Sequence, residues 1–241
     1  MILITTFYVP KDEAREKEIN KCLKMNYDNP FIEKIILLND KIYDLPIKEE
    51  IAIKEENKKI QQVIINNSPN YKLRFDDAIN YINNSKECIG KICILSNSDI
   101  YFNVTLAKIN NTTISNNVFA LLRYDEDESG KLTLYSENNK HRENSQDCWI
   151  FKSPLKVNTN YLNFEFGTLG CDNVFANIIF NSGIYISNPC YSIQSIHVHN
   201  SNYRTYNEQS RLTKNYCNLV PCNLKEMPNV IITDWWGNEI K

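Results

Sequence analysis

The chain has 241 residues, 42% hydrophobic and 23% charged, which supplies apolar mass for a sizeable core and fits one domain, with at most a short appendage. Lys+Arg 27 against Asp+Glu 29 leaves a formal net charge of −2, so no global basic field is present to coat a polyanion, and no nucleic-acid partner is expected. No apolar run approaches the ~20 residues that cross a bilayer, and Met1-Ile2-Leu3-Ile4-Thr5-Thr6 lacks the charged start and cleavage site of a signal peptide; the expectation is a soluble, cytoplasmic protein without a transmembrane segment.

Ile2–Phe7 reads as a first strand, and Pro10 opens a helical stretch, 11–26, with Ala14, Ile19, Cys22 and Leu23 at helical spacing and acidic Asp12 and Glu13 at its start. Ile35–Leu38 is a second strand ended by Asn39-Asp40. The Lys/Glu-rich segment 48–60 reads as a solvated connection, and Val63–Ile65 as a third strand. Ser68-Pro69 has the form of a cap and first-turn pair for a helix carrying Tyr71, Phe75, Ala78, Ile79 and Ile82. Lys91–Ser96 and Val118–Leu122 continue the strands, followed by Lys131–Tyr135 after the turn Asp127-Glu128-Ser129-Gly130, and by Cys148–Phe151. A helix from about Asp172 to Asn181 and strands at Ile184–Ile186 and Ile193–Val198 complete the body. From about residue 208 periodicity fades, and Trp235-Trp236 suggests that 206–241 is a tail docked on a single domain spanning 1–241. Strand–helix alternation in the first hundred residues predicts an α/β fold with a mixed, largely parallel central sheet flanked by helices.

Asn (35) and Ile (31) are abundant and scattered, as codon usage in an AT-rich genome produces. Glycine is scarce, six in all with Gly90 the first. That excludes a Rossmann fingerprint, a Walker A loop and the Gly-rich N-terminal loop of nucleotidyltransferases, each of which needs glycines directly after the first strand. The eight cysteines contain no C-x-x-C; they read as buried free thiols, with a structural zinc site as the alternative.

Chemistry in an open α/β sheet lies beyond the carboxyl ends of the strands. There the sequence offers Thr5-Thr6-Phe7-Tyr8, and Ser96-Asn97-Ser98-Asp99 continuing into Ile100-Tyr101-Phe102. A hard carboxylate such as Asp99 suits a divalent cation carrying a diphosphate; the alternative is that it starts a turn. Ser145-Gln146-Asp147 places a carboxylate at the entrance of an apolar strand. Gly167-Thr168-Leu169-Gly170-Cys171-Asp172-Asn173 delivers Asp172 to a helix N-terminus as an N-cap, in a loop whose two glycines suggest a close approach to the backbone. His197-Val198-His199 points two imidazoles to one face at a strand end, as ligands or as ordinary surface histidines.

Taken together, Ile2–Tyr8, Ser96–Phe102, Ser145–Phe151, Gly170–Asn173 and His197–His199 resemble GT-A-type glycosyltransferases that use a nucleotide-diphosphate sugar, small sugar transferases of AT-rich microbial and large-DNA-virus genomes above all. The resemblance spans roughly 2–205. It implies that the end of the first strand, Thr5, Thr6, Phe7 and Tyr8, holds the base, with Phe7 or Tyr8 stacking on it. It further implies that Asn97-Ser98-Asp99 takes the D-x-D place, with Asn97 departing from the pattern, and that Asp99 with His197 or His199 holds Mn2+ (or Mg2+). Asp172 takes the catalytic place as general base in an inverting transfer of a hexose, with Asp147 as runner-up, and Arg74 and Arg123 are partners for phosphate or sugar hydroxyls, or plain ion-pair residues. The implied partners are a UDP-linked sugar donor and a carbohydrate or glycoconjugate acceptor. The alternative is a carbohydrate-binding module of weak or no activity on the same fold, its aromatics Tyr101, Phe102, Trp149, Tyr161, Phe164 and Phe166 stacking on sugar.

Overall fold

Alternating strands and helices open the chain in the computed structural model, which describes residues 1–47, 58–68, 71–137, 140–141, 143–198 and 210–240. β1 (Ile2–Thr5) is followed by α1 (Glu13–Asp28), β2 (Lys34–Asn39), β3 (Ile60–Ile64), α2 (Phe75–Asn84) and β4 (Ile92–Ser96). Shorter strands come next: β5 (Ile100–Phe102), β6 (Asn117–Leu121), β7 (Tyr124–Glu126), β8 (Leu132–Leu134), the pair β9 (Ser136–Glu137) and β10 (Lys140–His141), and β11 (Cys148–Lys152). α3 (Cys171–Asn181) leads to β12 (Tyr185–Ser187), β13 (Ser195–Val198), β14 (Tyr216–Leu219) and β15 (Val230–Thr233).

Seven strands form the central sheet in the order β12-β6-β11-β4-β1-β2-β3. β4, β1, β2 and β3 are parallel neighbours, as are β6 and β12, while β11 runs against both β4 and β6. The expected mixed, largely parallel α/β sheet is the one observed. Cys148 pairs with both Ser96 and Leu121, so the start of β11 lies at the same edge as the ends of β4 and β6. Ile4 pairs with Leu95, which brings the end of β1 there too. A second sheet, β5-β13-β7-β8, grows from this edge. Only Asn97–Asp99 separate β4 from β5, and only Leu122-Arg123 separate β6 from β7. The strands β5 and β7 escape a periodicity reading because three residues carry less than two full alternations.

The pleat divides the core. Leu3, Ile35, Leu37, Ile94 and Ile150 face Ile19 and Leu23 of α1, and Ile4, Ile36, Leu95 and Trp149 face α2 and α3. On that second face Phe75 is the hub. Its ring stacks on Phe166 at 4.0 Å and meets Phe175 at 4.7 Å, Phe164 at 5.0 Å and Trp149 at 5.2 Å. Phe164 and Trp149, offered above as sugar-stacking aromatics, are thus core residues, as are Tyr101 and Phe102; Tyr161 is exposed. All eight cysteines are buried free thiols.

Two helix starts differ from expectation. α1 begins at Glu13 because Asp12 is its N-cap, accepting from the Arg15 amide at 2.8 Å. α2 begins at Phe75, past the Ser68-Pro69 signal, and Pro69 lies outside the described residues. The backbones of Arg74 and Glu165 pair as an isolated antiparallel β-bridge, and the amides of Phe75 and Asp76 donate to the carbonyls of Phe164 and Leu162. Donors that a side-chain cap would satisfy are taken by tertiary carbonyls, which fixes the helix start there. Of the segment 48–60, residues 48–57 are outside the described residues. Beyond 210 the chain forms the antiparallel hairpin β14–β15, and Tyr216, Cys217 and Leu219 join the core beside α3. No described helix is long and apolar enough to cross a membrane.

Since Phe75 ties α2, α3 and the sheet together, Phe75→Ala is expected to lower the unfolding free energy by ~3–5 kcal/mol in urea titrations. The exposed Tyr161→Ala is expected to change it by less than ~1 kcal/mol.

Candidate active site

The turn Asn97-Ser98-Asp99 between β4 and β5 begins and ends a ring of polar side chains. Oδ2 of Asp99 accepts from Nη2 of Arg15 at 2.6 Å and lies 3.0 Å from Nε2 of His197. On the other side of the imidazole, Nδ1 is 3.3 Å from Oδ1 of Asp125. This contact follows from sheet register, since β13 and β7 are parallel neighbours with His197 opposite Asp125. Nε of Arg123 donates to the same Asp125 oxygen at 3.0 Å, and its Nη1 donates to Oδ2 of Asp147 at 3.0 Å. Oδ1 of Asp147 accepts from Nδ2 of Asn97 at 3.1 Å, which returns to the starting turn. Arg15 is itself held by Glu18 at 2.9 Å, and Arg123 lies over the Tyr135 ring at 4.0 Å.

The electrostatics follow from burial and pairing. Burial works against the Asp99 charge, but His197 and Arg15 outweigh it and hold the carboxyl well below the usual carboxylate range. Burial likewise disfavours a charged His197, yet Asp99 and Asp125 raise the ring to about 9, so both ring nitrogens carry protons at neutral pH. A divalent cation needs free lone pairs on its ligands. Oδ2 of Asp99 already takes two donors, and both His197 nitrogens are turned to carboxylates. As arranged, His197 therefore offers no lone pair to a divalent metal, and Asp99 has one to offer only through Oδ1. His199, the other histidine expected as a ligand, lies outside the described residues. No group of three or more His, Cys, Asp or Glu suited to a metal occurs among the described residues.

At the end of β1, Thr5 is buried with no partner for its hydroxyl. Thr6 Oγ1 (3.4 Å) and the Phe7 amide (2.8 Å) both donate to Oδ1 of Asn39, joining this end to β2. The Phe7 ring is buried edge-on against Tyr43, and Tyr8 is 37% exposed. Of the two rings expected to stack on a base, Tyr8 offers the open face and Phe7 is a core residue. Ser98 is half-buried within the turn. Arg74 stands apart from the ring of side chains and pairs with Asp76, at 3.1 and 3.2 Å.

Asp172 is the second residue of α3, not its N-cap; the cap is Gly170, at φ 81°. Oδ2 of Asp172 accepts from the Gln146 amide at 3.1 Å, and Oδ1 from Nδ2 of Asn173 at 3.2 Å. Burial raises its pKa to about 7, the charge of neighbouring Asp147 acts in the same direction, and the Gln146 hydrogen bond only partly opposes them. At this helix end desolvation therefore wins over the dipole. The two carboxylates differ in availability: both Asp147 oxygens are engaged by Arg123 and Asn97, whereas Asp172 is half-buried and has no cationic partner among the described residues. The close approach suggested by the glycines is internal. A Cβ at Gly170 would collide with the Tyr216 hydroxyl, while one at Gly167 would meet open space.

Arg15 and Asp125 escape a reading of the sequence. Arg15 sits in a charged helical run without distinguishing context. Arg123-x-Asp125 carries the period-2 spacing that puts both on one strand face, a signal too short to separate from chance.

No family model and no curated protein sequence matches the chain. Solved structures similar to it include residues 1–349 of Staphylococcus aureus TarS in complex with UDP-GlcNAc, at 13% identity and TM-score 0.48, covering 84% of this chain and 59% of that one. The same TarS fragment in complex with UDP gives 14% identity and TM-score 0.42. A mutant Drosophila β-1,4-galactosyltransferase 7 in complex with manganese, UDP-Gal and xylobiose gives 11% identity and TM-score 0.45, covering 97% of this chain and 92% of that one. This chain spans 59% of the TarS chains it matches.

A carboxyl group with a folded-state pKa near 7 and an ordinary value near 3.8 adds stability below the lower value, and loses it as pH rises through the higher. Asp172→Asn is thus expected to flatten the fall in stability between about pH 4 and pH 7. At about pH 8 it should be more stable than the parent by ~1–4 kcal/mol, measured by urea unfolding across that range.

Proposed function

We propose that the chain is a GT-A-like glycosyltransferase that moves a hexose from a UDP-linked sugar to an acceptor hydroxyl with inversion. The observation that carries the reading is the pair of carboxyl environments at one sheet edge: Asp147 locked to Arg123 and Asn97, and Asp172 raised to about 7 one loop away. A base whose pKa lies near the working pH combines a sizeable unprotonated fraction with real basicity.

In this reading the donor lies across the carboxyl ends of β1 and β4. The Tyr8 ring covers the base, and the Thr5 hydroxyl and the Thr6–Asn39 pair line that end. Arg123, whose charge is shared with Asp125 and Asp147, is the hydrogen-bond donor assigned to the departing diphosphate, which gains negative charge as its bond to the anomeric carbon breaks. Ser98 and the Asn97 amide line the same turn. Asp172 takes the proton of the acceptor hydroxyl as its oxygen attacks the anomeric carbon from the face opposite the diphosphate. One bond forms as the other breaks, so the configuration inverts. Since Asp99 and His197 are already paired, a cation bound through Oδ2 of Asp99 would require the Arg15–Asp99 contact to open. Arg74, paired with Asp76, is a surface ion-pair residue in this reading.

Asp172→Asn is expected to cut sugar transfer by ~10²-fold or more with UDP affinity unchanged. Asp147→Asn should be milder in rate and should weaken donor binding through Arg123. Calorimetry with UDP and turnover of UDP-hexoses check both. Full rate in Asp172→Asn, or loss of transfer in Asp147→Asn alone, would exchange or remove the two roles. In the same calorimetry, UDP affinity independent of Mn2+ is the expected result, and an Mn2+ requirement abolished by Asp99→Ala would restore the metal role of Asp99.

A further inference from the structure

The loop that presents Asp172 and the loop that presents Asp147 share a neighbour beyond their own hydrogen bonds. Both are hydrogen-bonded to the chain beyond residue 210. The Leu212 amide donates to the carbonyl of Leu169 at 3.0 Å, two residues before α3 begins. The Tyr216 hydroxyl donates back to the Leu212 carbonyl at 2.9 Å, which closes a short turn of chain over that loop. The Tyr216 ring occupies the space that any side chain at Gly170 would need, and it is buried. Three residues along β14, the Leu219 amide donates to the carbonyl of Glu143 at 2.8 Å. That carbonyl also receives Nε2 of Gln146 at 2.8 Å, and the Gln146 amide is the group that holds Oδ2 of Asp172. From the other side, Nδ2 of Asn173 donates to the Asn144 carbonyl at 3.0 Å.

We propose that the segment Leu212–Leu219 is a strap that completes the active site, with Tyr216 as the positioning residue that fixes the α3 N-terminus, and hence Asp172, against the loop carrying Asp147. The inference rests on the reading of Asp172 as the base, and extends it to a part of the chain in which the sequence shows no motif. Neither Tyr216 nor Leu212 touches donor or acceptor in this scheme. They act through Gly170 and Leu169, where a small displacement moves the base away from the attacking oxygen, to which rate is far more sensitive than donor binding. Glycine is needed at 170 on two counts, its positive φ and the ring lying on it.

The test follows turnover of UDP-glucose, UDP-galactose and UDP-N-acetylglucosamine to water, read as UDP release, in Tyr216→Phe, Tyr216→Leu and Asp172→Asn, with melting temperature recorded for each. Tyr216→Phe keeps the ring on Gly170 and loses the hydroxyl's bonds to Leu212 and Arg211. It is expected to lower kcat by ~3–10-fold with KM for the donor and the melting temperature unchanged. Tyr216→Leu removes ring and hydroxyl, and should lower kcat further, again with donor KM unchanged. If both Tyr216 variants turn over like the parent, or lose rate only in proportion to folded protein, the strap is a packing element and the inference fails while the base reading stands. If Asp172→Asn turns over like the parent, the base reading itself fails and the strap loses its object.

Discussion

A carboxylate buried at the end of a parallel strand must be answered by positive charge, and Asp99 is answered twice, by Arg15 from α1 and by His197 from β13. Removing both cations would leave a buried charge without a partner, a situation that costs several kcal/mol, so the three elements are constrained to meet. The same constraint propagates. His197 charged on account of Asp99 calls for Asp125, Asp125 draws Arg123, and Arg123 draws Asp147. The small sheet β5-β13-β7-β8 is thereby held over the edge of the large one by charge pairing as well as by its own ladder. Its contribution to stability as such is modest, since desolvation offsets much of each attraction; its consequence is a fixed arrangement of side chains at one edge.

The large sheet was legible in the sequence because its strands are long enough, and buried on both faces, to show as continuous apolar runs such as Ile35–Leu38 and Ile92–Leu95. The edges of the site were legible for the same reason: residues just beyond those runs, Thr5, Asn97, Asp99 and Arg123, fall at the carboxyl edge by position alone. The partners of those residues were not. Arg15 reaches Asp99 only through the docking of α1, and Asp125 reaches His197 only through the register of two short strands. Neither relation leaves a local pattern, because both are set by contacts between residues far apart in the chain.

The helix starts show the same division. Asp12 is placed by the sequence at the start of α1 and is its cap, one residue off, since its partner amide is only three residues away. The start of α2 is not legible in this way, because its amide donors are satisfied by carbonyls at Leu162 and Phe164, about ninety residues downstream. Gly170 shows how a correct local signal can have a different cause. The positive φ and the close approach are both present, but what approaches is Tyr216 of the same chain.

Asp147 and Asp172 are chemically identical side chains one loop apart, and their surroundings assign them opposite characters. Asp147 faces a guanidinium and an amide, so it is committed to holding Arg123 and the Asn97 turn. Asp172 receives one backbone amide and one side-chain amide, is otherwise desolvated, and lies within reach of the Asp147 charge. The first charge thus raises the basicity of the second while being itself neutralised locally by Arg123. That asymmetry persists only while the loops 143–147 and 167–172 keep their spacing. Among the described residues, both loops hydrogen-bond to the segment that runs from Leu212 to Leu219. The contrast between a carboxyl raised by burial and a carboxylate held by a guanidinium is therefore a property of the assembled edge, with the C-terminal hairpin as much a part of it as α3 and the loop before β11.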